Sequence, residues 1–321
     1  MVKILPAQDI DPLEWDRFID SSKQANIYAQ YWYLSTLTPG WYAVHFLKND
    51  RLIAVMPYIT ERKFFQSYIN TPFAIQQLGL YTQDETLPDI EAIRQILTQW
   101  LKQYTFVSYR FNISNTLQLE PALAKLPVRK QITHLLSLNE PYNILYENFS
   151  ANHKRNIRKA YKNGITTQED NDLDTLIELF KRSREGLSGI YNTLQYIHLK
   201  DLYRSGRHRN ACRIYTARNP EGNIIAGGFF LFYKQSIVYV FGASADEGRQ
   251  TGAMAAVFDH LIRDHACKNL TLDFEGSLVP SLARFYRGFG GKAHSFLHLF
   301  NDKRKYILKI KQLLSHVHSR Q

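Results

Sequence analysis

The chain has 321 residues, of which 45% are hydrophobic and 13% aromatic, and a formal net charge of +11. That composition excludes a disordered or fibrous protein, and the length corresponds to about two domains. Residues 1–140 carry 13 Lys/Arg against 13 Asp/Glu, whereas residues 141–321 carry 27 against 16, so the second half alone suits an anionic partner (nucleotide phosphates, a nucleic acid or an anionic surface) or presents a solvated basic face.

In chain order, the first hairpin is Trp41–Leu47 and Arg51–Ile59, two β-rich runs around the turn Lys48-Asn49-Asp50. Extended aromatic sequence runs on to Tyr81. Leu87-Pro88-Asp89 then opens a helix with Ile90, Ile93, Ile96, Leu97 and Leu101 at helical spacing. The strand Phe106–Phe111 closes this unit. Residues 112–140 read as a connection plus the strand Lys130–Ser137. Helices dominate 142–205: one over Ala151–Asn163, stopped by Gly164, and another from Asp172. The earlier order then returns. Arg213–Ala217 and Ile224–Phe232 flank Asn219-Pro220-Glu221-Gly222, Ser236–Phe241 is a third strand, a helix covers about 252–266, and Leu270–Phe274 is a short strand. Hairpin, strand, helix, strand thus occurs twice, about 165 residues apart. The expectation is two related α/β (α+β) domains, 1–140 and 141–321, each a mixed, mainly antiparallel sheet flanked by helices. A basic amphipathic helix is expected over Asp302–His318.

The N-terminus lacks the apolar core of a signal peptide, and no run approaches the ~18 apolar residues of a membrane span. Cys212 and Cys267 cannot build a disulfide framework, and none of the 11 histidines falls at metal-ligand spacing. A cytoplasmic protein without a metal is therefore expected. No nucleophile elbow, Walker loop or dinucleotide fingerprint occurs.

The sharpest segment is Leu272-Asp273-Phe274-Glu275-Gly276, followed by Leu282-Ala283-Arg284-Phe285-Tyr286-Arg287-Gly288-Phe289-Gly290. It resembles the motif on the last helix of the GNAT acetyltransferase fold. Upstream, Arg249-Gln250-Thr251-Gly252-Ala253-Met254 resembles that fold's donor loop, where helix N-terminal N–H groups and glycine cradle a pyrophosphate. Met254 departs from the Gly or Ala of that pattern. The tandem arrangement is similar to the Fem-type, aminoacyl-tRNA-dependent peptidyl transferases. So are the basic helix Asn152–Gly164, the entry run Ile27–Tyr33 and Asp273-Phe274-Glu275-Gly276.

The resemblance implies an acyltransferase of GNAT/FemAB-like type with its catalytic domain second and a degenerate first domain. Tyr286 stands where Fem-type enzymes usually carry Lys, and acetyltransferases often place there a Tyr that protonates the departing thiolate. A phenol of pKa near ~10 suits a thiol of pKa near ~8.5. The reading is therefore an acyl-CoA co-substrate and an amine acceptor, with Tyr286 as general acid. Glu275 orients or deprotonates the amine, or caps or pairs structurally, and Asp273 makes a structural bond. Arg249, Gly252 and Ala253 hold the donor phosphates. Lys154, Arg158 and Lys159 face the acceptor, a small molecule or a cell-wall (peptidoglycan) precursor, or its phosphates. The alternatives are aminoacyl transfer from tRNA, through this helix and the clusters Arg204/Arg207/Arg209/Arg213 and Lys303/Arg304/Lys305/Lys309/Lys311, and a non-catalytic basic binding module.

Overall fold

The computed structural model describes residues 1–38, 40–63, 66–83, 87–183, 193–276 and 279–304. The chain divides into two compact units, Met1–Gln131 with Ser295–Gln321, and Ile132–His294.

The first unit begins β1 (Val2–Pro6), α1 (Pro12–Ser21), α2 (Tyr31–Leu37), β2 (Trp41–Lys48), β3 (Arg51–Lys63) and β4 (Gln66–Asn70). It continues β5 (Tyr81–Thr82), α3 (Ile90–Gln103), β6 (Phe106–Arg110) and α4 (Thr116–Leu123). The β2–β3 turn has Asn49 and Asp50 both left-handed, at φ 50° and 59°, and Lys48 opposes Arg51. These residue types tolerate the conformation that a two-residue hairpin requires. Asp89 caps α3 by accepting the Glu91 N–H, and Ile93, Ile96, Leu97 and Trp100 face the core. The sequence left residues 112–127 as connection; α4, interrupted by Pro121, lies there. Its pattern is poorly amphipathic, so periodicity does not reveal it.

The second unit begins with β7 (Val128–Ser137, in this unit from Ile132), α5 (Tyr142–Glu147), α6 (Ala151–Lys162), β8 (Thr166–Asp170), α7 (Leu173–Ser183) and α8 (Thr193–His208). Then come β9 (Cys212–Arg218), β10 (Ile224–Tyr233), β11 (Ser236–Ser244), α9 (Asp246–Thr251), α10 (Ala253–His265), β12 (Thr271–Asp273) and α11 (Pro280–Gly288). Strand β13 (Lys292–Asp302) ends the described chain and belongs to the first unit from Ser295. Strand β8 falls inside the region read as helical. Its sequence Thr-Thr-Gln-Glu-Asp has no apolar alternation because it is a largely exposed edge strand.

The two units repeat one strand pattern. In the first, β1-β2-β3-β4 are antiparallel, β4 and β6 are parallel, and β13 joins β6 antiparallel. In the second, β8-β9-β10-β11 are antiparallel, β11 and β12 are parallel, and β7 joins β12 antiparallel. The sixth strands are exchanged along the chain: β7 follows the first unit's elements yet completes the second unit's pattern, and β13 does the reverse. The expected division into 1–140 and 141–321 therefore differs from the compact units at both ends. The helix expected over 302–318 lies outside the described residues from 305 on.

In the second unit, Phe230, Phe258, Phe274 and Phe289 are fully buried and form the centre of the core. The carboxylate of Asp259 on α10 is fully buried. It accepts bonds from the hydroxyls of Tyr142 (2.5 Å) and Tyr161 (3.0 Å) and pairs with Arg263 at 2.6 Å. These bonds tie α5 and α6 to α10, and a buried carboxylate is tolerable only when paired in this way.

Candidate active site

Strands β11 and β12 run parallel only over Ser236–Val238 and Thr271–Asp273. Beyond these residues β11 continues to Ser244, and β12 ends. The chain leaves β12 through Glu275, whose φ is +52°. A left-handed non-glycine residue is held by its surroundings. Here the Asp273 carboxylate accepts the Glu275 N–H at 2.9 Å and the Thr133 hydroxyl at 2.5 Å. Asp273 is buried, and burial pushes its carboxyl up to about 6 despite those two bonds. Its expected structural role matches this geometry. Two residues apart on an unbroken strand, Asp273 and Glu275 would share a face; the turn at Glu275 is what separates them.

Past Val238, β11 carries a bulge. Phe229 opposes Phe241 and Phe230 opposes Tyr239, so Val240 has no residue opposite. The Tyr239 ring lies over Gly242, where a Cβ would come within 2.0 Å of the Tyr239 hydroxyl. Glycine is thus required there for the close approach. Among the described residues, β11 has no strand partner on the β12 side beyond Val238, so the two strands part here.

Tyr286 on α11 lies at this parting. It is buried, stacks on Phe274 (4.9 Å between centroids, 23° between planes), and has Tyr239 at 6.5 Å. The His134 ring on β7 is 5.9 Å from it. His134 lies across from Phe274, whose N–H it accepts at 3.0 Å through its backbone carbonyl. Burial, and then the neighbouring Arg287, depress the pKa of His134, which favours neutral imidazole. The sequence reading gave Thr133 and His134 no role. Strand β7 also carries Arg129, Lys130, Gln131 and Ser137, so no local pattern singles them out.

The donor-loop residues lie around the junction of α9 and α10. Arg249 lies on the short helix α9, which precedes α10, and it donates to the Ser244 carbonyl (2.7 Å) and pairs with Asp246. Gly252 is left-handed at φ +85° and caps α10. A Cβ on it would lie 2.7 Å from the Asn156 carbonyl oxygen of α6. Both conditions require glycine for folding alone. Ala253 is the first residue of α10 and is fully buried.

Helix α6 starts at Ser150, whose hydroxyl accepts the His153 N–H, and it buries His153, Ile157 and Ala160. Lys154 donates to the Glu147 carbonyl (2.8 Å), and Arg158 donates to the Lys154 carbonyl (3.2 Å). Arg155, Arg158, Lys159 and Lys162 are exposed. The Asn156 carbonyl abuts Gly252, so α6 packs beside the α10 N-terminus. The other clusters are more fully engaged. Arg204 pairs with Asp201, Arg207 donates to Asn171, and Arg213 lies 3.6 Å from Glu169. Lys303 and Arg304 belong to the first unit, where Arg304 pairs with Asp302. Lys305, Lys309 and Lys311 lie outside the described residues.

A cavity of about 540 Å³ in the first unit, bordered by Trp15, Phe18 and His45, contains none of the sequence-assigned residues. Among the described residues, no group of three or more His, Cys, Asp or Glu side chains is placed to hold a metal, and no helix is long and apolar enough to cross a membrane.

Residues 147–276 match the acetyltransferase (GNAT) domain family. The crystal structure of FemX superposes with a TM-score of 0.65 at 14% identity, covering 95% of this chain and 99% of that one. The structure of L-PGS from Bacillus licheniformis gives 0.53 at 12% identity, with 92% of each chain covered. A tandem GNAT protein from the clavulanic acid biosynthesis pathway gives 0.52 at 9% identity, covering 93% and 98%. No curated protein sequence matches this chain. The fold is therefore that of the GNAT/Fem-like acyltransferases.

Proposed function

We propose that this protein transfers an acyl group from an activated donor to an amine acceptor, with an acyl-CoA as the donor. The observation that carries the reading is the parting of β11 and β12, with a bulge at Val240 on one side and Tyr286 on the other. Such an opening suits a donor carbonyl laid along β11, where backbone N–H groups polarise it and its attacked carbon is held near the acceptor. Tyr286 is the general acid for the leaving thiolate, and Glu275 orients the amine. The donor's phosphates fall to the Arg249–Ala253 segment. Lys154, Arg158 and Lys159 serve the acceptor.

A second reading, aminoacyl-tRNA as donor, is supported by the exposed basic stripe of α6 and by the structural use already made of Gly252. The test is thermal stabilisation by acetyl-CoA, longer acyl-CoAs and bulk tRNA at two salt concentrations. A shift with an acyl-CoA, together with thiol release in the presence of primary amines, supports the first reading. No shift at saturation overturns it. A gain with tRNA alone that fades at high salt supports the second.

A further inference from the structure

The strongest unexplained polar group in the second unit is His134. The residue is 1% exposed, and among the described residues neither Nδ1 nor Nε2 has a hydrogen-bond partner. Buried imidazole nitrogens ordinarily find partners, because leaving one unsatisfied costs about 1–3 kcal/mol. By contrast, His298 in the first unit is buried with Nε2 on Ser108 and Nδ1 on Gln131, each at 2.9 Å. His153 at least engages Ser150.

The position of His134 is as specific as its lack of partners. It occupies the β7 residue facing Phe274, and its ring lies against Tyr286 where β11 and β12 part. Its neighbours there are the Phe274 backbone and the Tyr286 ring, and neither answers its ring nitrogens. The charged neighbour acting on it is Arg287, which opposes a second positive charge.

We propose that His134 is a catalytic residue: the base that takes the proton from the attacking amine. This deepens the reading of the site as an acyltransferase and applies with either donor. As the amine nitrogen bonds to the donor's carbonyl carbon, the carbonyl π pair moves onto oxygen and one amine proton passes to a His134 ring nitrogen. When the carbonyl re-forms, the bond to the leaving group breaks, and sulfur of the thioester (or the ribose oxygen of tRNA) departs with the electron pair. It collects the Tyr286 proton. Imidazolium and phenolate are then adjacent, and His134 returns its proton to Tyr286. The sum is acyl donor plus amine to amide plus thiol or alcohol, with both side chains restored. Glu275 then holds the amine without having to accept its proton.

The test uses the full-length chain and the variants His134→Gln, His134→Ala and His134→Leu. Each is assayed with acetyl-CoA and a panel of lysine peptides, polyamines and amino sugars, and then with aminoacylated bulk tRNA and the same acceptors. With whichever donor the wild type uses, the proposal expects kcat to fall about 100-fold or more, with the donor KM within about threefold. The acidic limb of the pH–rate profile should disappear, and added imidazole should restore turnover to His134→Ala. His134→Leu should melt at or above the wild-type temperature, because it removes two unsatisfied nitrogens. Wild-type rates and an unaltered pH profile in His134→Gln overturn the proposal, as does a His134→Leu variant that loses activity only in proportion to lost folding. Turnover with tRNA but not with acetyl-CoA overturns the thioester donor while leaving His134 to be judged on its variants. A wild type inactive with both donors overturns both.

Discussion

Gly252 separates two explanations of one motif, because a folding requirement and a phosphate cradle predict different losses on substitution. Gly252→Ala places a side chain at φ +85°, which costs about 1–2 kcal/mol for a left-handed L-residue. The new Cβ also lies 2.7 Å from the Asn156 carbonyl oxygen. That oxygen belongs to helical backbone and cannot swing aside as a side chain would, so overpacking adds about 1–3 kcal/mol. The total is about 2–5 kcal/mol, or a melting temperature lower by roughly 4–20 °C for a unit of this size. The assay is thermal unfolding of the full chain without ligand, followed by circular dichroism, with donor binding measured separately well below the transition. Asn156→Ala should not rescue the variant, since the obstructing atom remains. A Gly252→Ala protein that melts within about 2 °C of wild type but has lost its response to acyl-CoA would refute the packing argument and return the glycine to the donor.

Tyr286→Phe should lower turnover by about 100-fold or more while leaving donor binding nearly intact, read as a split between kcat and KM; unchanged kcat removes the general-acid role. The fragment 141–294 should fail to unfold cooperatively where 128–294 succeeds, because it lacks β7. That strand supplies buried Leu136 and the Thr133 bond to Asp273, and Leu138 follows it; urea melts of the two fragments decide the point. Asp273 is held protonated up to about pH 6 in the folded state, against an ordinary 3.8. The folded state therefore binds the extra proton between these values, and the residue's contribution falls as pH rises from about 4 to 6, by about 3 kcal/mol at most. Asp273→Asn should flatten that part of the stability–pH curve, and an unchanged slope in urea titrations at pH 4.5 and 7 would show that another group sets it. Tyr142→Phe removes one bond to the buried Asp259 carboxylate and should cost about 1.5–3 kcal/mol, seen as a lower urea midpoint with an unchanged m-value.

Much was legible in the sequence because it is encoded locally. Asn49-Asp50 between alternating runs specifies the first hairpin, apolar residues three and four apart specify α3, α7 and α10, Gly164 stops α6, and the order of elements reveals the duplication. The segment around Tyr286 was equally visible, since aromatic, basic and glycine residues are concentrated in a few turns of chain. Where local pattern is weak, it misled or fell silent: β8 is polar because it is an exposed edge, and α4 carries a proline.

Tertiary structure alone decided what depends on partners distant in the chain. The exchange of β7 and β13 is a matter of which edge each strand completes, and no periodicity records an edge. His134 meets Tyr286 across more than 150 residues of chain, and its ring nitrogens are buried where no described side chain answers them. The basic clusters looked alike in sequence, yet Arg204, Arg213 and Arg304 have acidic neighbours within 4 Å, while α6 keeps an exposed stripe. Even at Gly252 a second reason for glycine, the approach of the α6 backbone, is a fact of packing that composition cannot express.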